Sequence, residues 1–146
     1  MYEEWLEKMR RWCSLRERCT WDVAQKLRGQ SLSTDLVSKV VEALENEGFL
    51  SDERFLTSYV RTHAEHKHWG PRKIVHGLMA KGFSSGDANR AVAAFPQGRF
   101  SEILDGLIER RKGELNANRD KVIRFLASRG FPVNDIFQRI EEAEGR

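Results

Sequence analysis

The chain is poor in cysteine and proline, with two and three in 146 residues, and it contains no long apolar run. Cys13 and Cys19 are too few for the disulfide framework of a small secreted domain. A lone Cys-x5-Cys pair does not supply a four-ligand zinc site either. Their neighbours Trp12 and Trp21 predict reduced thiols packed in or near a core, where free cysteine is usually found. The longest uncharged apolar stretches resemble Ala91–Phe95 and fall well short of the roughly 20 residues that cross a bilayer, so no membrane association is expected. The start, Met1-Tyr2-Glu3-Glu4-Trp5, is acidic and lacks the basic and apolar segments of a secretion signal, which predicts a cytoplasmic protein.

Catalytic signatures are missing as well. There is no G-x-x-x-x-G-K-[ST] phosphate loop, no G-x-S-x-G elbow and no H-E-x-x-H pair. His63, His66, His68 and His76 cluster in sequence, but His63 and His66 share a helical face that His68 does not. Three convergent ligands are therefore not expected. The sequence predicts no metal, no cofactor and no enzymatic activity.

What the chain does have is helical periodicity. Apolar residues make up 40% and charged residues 32% of the chain, as in a globular protein. Alternating strand patterns are absent. Leu36, Val37, Val40, Val41 and Leu44 recur on one helical face, as do Phe55, Tyr59 and Val60. Ile103, Leu104, Leu107 and Ile108 form a third such set, and Ile136, Phe137 and Ile140 a fourth. Thr20, Ser33 and Ser51 are candidate N-caps, Pro71 suits a first helical turn, and Gly48, Gly82 and Gly130 suit C-terminal stops.

A repeat of about fifty residues emerges when Leu27, Leu78 and Leu126 are aligned. Val23 then meets Ile74 and Val122, Leu32 meets Phe83 and Phe131, Val37 meets Ala88 and Ile136, and Val41 meets Val92 and Ile140. Each copy reads as three helices. The first helices are expected at about 2–15, 52–66 and 101–115, the second at 21–29, 71–81 and 119–129, and the third at 34–46, 85–95 and 133–143. Pro96–Phe100 reads as the joint between the last two copies. The expected fold is all-α, with three tandem three-helix repeats (1–50, 51–98 and 99–146) in an elongated, curved arrangement.

Charge is unevenly spread. Residues 1–50 hold 8 Lys+Arg against 9 Asp+Glu, residues 51–98 hold 7 against 4, and residues 99–146 hold 10 against 9. The basic excess is mild and local, which suits contact with an acidic partner over part of the surface. Candidate contact residues are Arg61, Trp69, and the pair Arg72 and Lys73 at a helix start, where free amides also attract anions. Arg110, Arg111 and Lys112 form the densest basic cluster, and Arg119, Lys121, Arg124 and Arg129 continue it on the next helix. Trp69 suits either an interface anchor or packing between repeats.

Several of these segments carry a family resemblance. Ser51-Asp52-Glu53-Arg54-Phe55, Trp69-Gly70-Pro71-Arg72-Lys73-Ile74 and Lys81-Gly82-Phe83 are similar to the second unit of RecX proteins. Trp12–Glu17 with Asp22–Leu27 resembles their first unit, and Arg124-Phe125-Leu126 with Arg129-Gly130-Phe131 their third. At Leu27–Leu32 the chain departs from them, lacking the basic-Gly or aromatic-Gly turn that many members carry. The resemblance implies a regulator that binds the RecA recombinase and its filament on single-stranded DNA and inhibits recombinase and ATPase activity. It would thereby modulate DNA repair and recombination, acting as a monomer with weak direct DNA binding. The alternative from the residues alone is a helical DNA-binding protein acting without RecA, since second helix, turn and third helix superficially match a helix-turn-helix. Against it, Asp35–Glu45 is acidic and Asp87–Phe95 is small and apolar.

Overall fold

The computed structural model describes residues 1–145; Arg146, the last residue of the expected third repeat, lies outside them. Among the described residues the chain forms ten helices and no strands. They are α1 (Tyr2–Leu15), α2 (Thr20–Arg28), α3 (Thr34–Asn46), α4 (Asp52–Glu65), α5 (Pro71–Ala80), α6 (Ser85–Ala94), α7 (Gln97–Arg110), α8 (Lys112–Ala117), α9 (Arg119–Ser128) and α10 (Val133–Glu144). The chain packs as two compact units, Met1–Ser58 and Tyr59–Arg146.

In the first unit α1 and α2 both pack on α3. Their shared core comprises Leu6, Met9, Cys13, Val23, Leu27, Val37, Val40, Leu44 and Leu50. The first helix of the repeat thus closes over the second and third, which are too short to be stable alone. In the second unit α5 packs with α6, while α7, α8, α9 and α10 pack among themselves. Leu27, Leu78 and Leu126, the three aligned leucines, each have 0% of their surface exposed. Burying each contributes roughly 1.5–3 kcal/mol relative to leaving it in water.

Local signals account for most boundaries. Ser33 Oγ accepts the Leu36 amide at 3.2 Å, and Ser51 Oγ accepts the Arg54 amide at the same distance. Pro71 occupies the first turn of α5. Gly48, Gly82 and Gly130 have positive φ at helix ends. In the first repeat the position equivalent to Gly82 and Gly130 is Ser31, which takes the same left-handed conformation at φ 59. That residue is the physical form of the departure at Leu27–Leu32.

Four expectations are corrected. The cap of α2 is Cys19, not Thr20: Asp22 accepts the Cys19 amide at 3.2 Å in a capping-box arrangement. The helix expected at 101–115 instead begins at Gln97 and breaks at Arg111, whose φ of −110 and ψ of 18 end α7 and start α8. Residues 97–100, read as a joint, are therefore helical, and only Pro96 remains as the punctuating N-cap. Phe137 lies off the buried face of α10, with 42% of its surface exposed.

Candidate partner-binding surface

The second unit carries the basic excess. Residues 59–146 hold 16 Lys+Arg against 11 Asp+Glu, net +5, whereas residues 1–58 hold 9 against 11, net −2. Within the second unit two glycine-containing turns meet through their backbones. The Gly70 amide donates to the Arg129 carbonyl at 2.7 Å, and the Arg72 amide donates to the Gly130 carbonyl at 3.0 Å. The approach needs both glycines. A Cβ on Gly70 would lie 2.6 Å from Gly130 backbone atoms, and one on Gly130 would lie 2.4 Å from Lys73 Cβ. The Arg72 amide that could have met an anion is thus spent on the fold.

Beside this clip runs a ring stack. The His63 ring lies 3.7 Å from Tyr59 and 4.6 Å from Trp69, centroid to centroid, and Lys73 Nζ sits 4.6 Å from the Trp69 centroid. His63 Nδ1 is 2.8 Å from the Tyr59 carbonyl. Burial pushes the His63 pKa below its ordinary value, with Lys67 and Lys81 acting in the same direction and the Tyr59 hydrogen bond opposing them. Trp69 is therefore half-buried, with its ring engaged by His63 and Lys73.

The clip also fixes Arg129 against a cleft of about 520 Å³, lined by His68, Leu107, Arg110, Arg111, Gly113, Glu114, Phe125 and Arg129. The break between α7 and α8 turns Arg111 onto Phe125, 3.6 Å from guanidinium carbon to ring centroid, and Arg129 lies 5.2 Å from the same ring. Arg111 also donates to Glu114 at 3.0 Å, and Lys121 reaches the other oxygen of Glu114 at 3.3 Å. Lys121 and then Arg111 hold the Glu114 carboxyl below the usual range, though burial opposes them. Arg129 additionally donates to the Lys67 carbonyl at 3.4 Å. Guanidinium groups laid on an aromatic face are held in place while their edges stay available for oxyanions.

The candidate residues differ in what surrounds them. Arg61, Arg72, Arg110, Lys112 and Arg124 are exposed and form no ion pair or ring contact among the described residues. Arg119 is bound to Glu144 at 2.7 Å and Lys121 to Glu114. Arg110, Arg111 and Arg129 come together at the cleft. Sequence reading missed His68, whose backbone adopts φ 56, and Phe125, the ring that holds two arginines. The aromatic between basic residues at Arg124-Phe125 was the available signal for the second. The histidines do not assemble further: among the described residues no three His, Cys, Asp or Glu side chains are grouped to hold a metal. Nor is any helix there long and apolar enough to cross a membrane.

The fold is that of a helical-repeat protein whose second unit carries an arginine-lined cleft. The family pattern described as RecX, second three-helix domain, matches residues 51–92. Regulatory protein RecX of Pseudomonas syringae pv. tomato is 30% identical over 134 residues, covering 89% of this chain and 84% of the relative. Regulatory protein RecX of Pseudomonas putida W619 is 28% identical over 124 residues, covering 83% and 79%. The crystal structure of RecX from Lactobacillus salivarius superposes with a TM-score of 0.87 at 22% identity, covering 99% of this chain and 97% of that one. The chain belongs to the RecX family of regulatory proteins.

Proposed function

We propose that the protein binds the RecA recombinase and its filament on single-stranded DNA and lowers RecA's ATPase and recombinase activity, and so modulates DNA repair and recombination. Family membership supports the regulatory role. The observation that carries the contact is the arginine-lined cleft of the second unit. Arg111 and Arg129 are oriented by Phe125, Arg110 is unpaired beside them, and the whole segment is net positive. Such an arrangement suits a filament whose exposed surface includes DNA phosphates, because Arg recognises oxyanions with paired donors. The protein acts in the cytoplasm, as a monomer and without a cofactor; direct DNA binding is weak because the basic excess of the second unit is mild, 16 Lys+Arg against 11 Asp+Glu.

The test is RecA-driven ATP hydrolysis on single-stranded DNA, with and without the protein, at concentrations too low to coat the DNA. Concentration-dependent inhibition is expected. An unchanged rate together with tight binding to a particular duplex sequence would replace this reading with that of a DNA-binding protein acting without RecA.

A further inference from the structure

Arg18 is the single buried charged side chain among the described residues, with 8% of its surface exposed. It lies in the loop between α1 and α2, and its guanidinium carbon sits 3.9 Å from the Trp12 ring centroid. Its one hydrogen bond is a long one, from Nε to the Trp12 carbonyl at 3.4 Å. It makes no ion pair among the described residues. Nearby carboxylates are turned elsewhere. Glu17 accepts from Arg54 at 3.0 Å, Asp22 accepts the Cys19 amide, and Asp52 accepts the Thr20 amide at 2.8 Å.

The two terminal nitrogens of Arg18 are therefore unbonded, yet no described buried side-chain nitrogen or oxygen lacks a partner. It follows that their edge reaches solvent while the plane is covered by Trp12. Two further cations crowd the place: Arg16 is exposed, and Lys26 Nζ lies 4.9 Å from the same Trp12 ring. Burial and then Arg16 push the Arg18 pKa below its ordinary value, against the partial compensation of Asp22 and Cys13. A covered, unpaired guanidinium is unfavourable on its own, and pairing its fork with a carboxylate reverses that.

We propose that Arg18, held against Trp12, receives a carboxylate from an acidic side chain on the protein surface of the partner. The source is protein rather than nucleic acid, since residues 1–58 hold 9 Lys+Arg against 11 Asp+Glu, a net −2 that opposes a phosphate backbone. The flanking residues agree: Leu15 is 78% exposed and Trp21 38%, so the segment presents apolar surface beside an arginine, the composition of a protein-binding hot spot. The inference rests on the proposed RecA contact and adds to it a second, protein-directed anchor.

The experiment titrates the full-length protein onto RecA assembled on poly(dT), and separately onto poly(dT) alone. Arg18→Met keeps the packing volume and removes the unpaired charge; Arg18→Lys keeps charge but loses the fork. Arg18→Met is expected to lose roughly 30-fold or more in filament affinity, with Arg18→Lys in between. Binding to poly(dT) should be unchanged, and the urea midpoint equal to or above that of the wild type. Wild-type affinity for the filament in Arg18→Met would overturn the inference alone. A lowered midpoint would assign Arg18 to the fold, and a loss on poly(dT) would assign it to phosphate; either outcome overturns it too. Failure of the wild type to bind the filament would instead refute the proposed function, and this anchor with it.

Discussion

Gly70 and Gly130 are spaced sixty residues apart yet leave room for each other's backbone and for nothing more. Gly130→Ala adds a clash with Lys73 to a left-handed φ of 99, and is expected to destabilise by about 1–3 kcal/mol in urea unfolding. The two cysteines make a second residue-scale case. Burial raises both thiols, Cys19 to about 12, and Cys19 is 1% exposed. Since only the thiolate attacks, iodoacetamide at pH 8 should label Cys19 far more slowly in the native protein than in denaturant. Equal rates would contradict the packing. The His63 pKa is depressed in the fold, so the unfolded chain takes up the proton first. Stability should be level above the unfolded pKa of about 6.5 and fall as pH drops from there toward the folded value. Thermal unfolding between pH 7.5 and 5 checks this, and His63→Phe should flatten that part of the profile.

At the scale of elements, the three turns after the second helices are a natural comparison. Gly82 and Gly130 adopt left-handed φ without a side chain to clash, whereas Ser31 adopts it with one. Ser31→Gly is therefore expected to raise stability by about 0.5–1 kcal/mol, measured by urea midpoint. An unchanged or lower midpoint would mean that Ser31 bears no strain. Most helix positions were legible in the sequence because their signals are local: the caps Ser33 and Ser51, Pro71 and the terminal glycines all act within one turn. The break at Arg111 was not legible, because Ile103, Leu104, Leu107 and Ile108 continue the helical period up to it. What interrupts the helix is packing: Arg111 swings onto Phe125 of α9, a contact that no periodicity reports. Arg119 and Lys121 looked like surface cations for a similar reason. Their partners Glu144 and Glu114 lie 25 and 7 positions away, and only the folded chain brings them near.

For the whole molecule, charge is unevenly divided between the two units. The second unit holds the excess of cations and the arginine cleft, while the first is slightly acidic with a single covered arginine. Gly130, read in the sequence as a helix stop, also joins the segment before α5 to the cleft, since its turn accepts the Gly70 and Arg72 amides while His68 lines the cleft beside Arg129. If the cleft meets about three phosphates, filament affinity should fall with salt with a log–log slope of roughly −2. The most direct measurement replaces cations that have no partner in the fold. RecA ATP hydrolysis on single-stranded DNA is followed with wild-type protein and with an Arg110→Glu, Lys112→Glu, Arg124→Glu variant of unchanged helicity. The account predicts inhibition by the wild type and at least roughly tenfold more variant for the same effect. Equal inhibition by the two would contradict it.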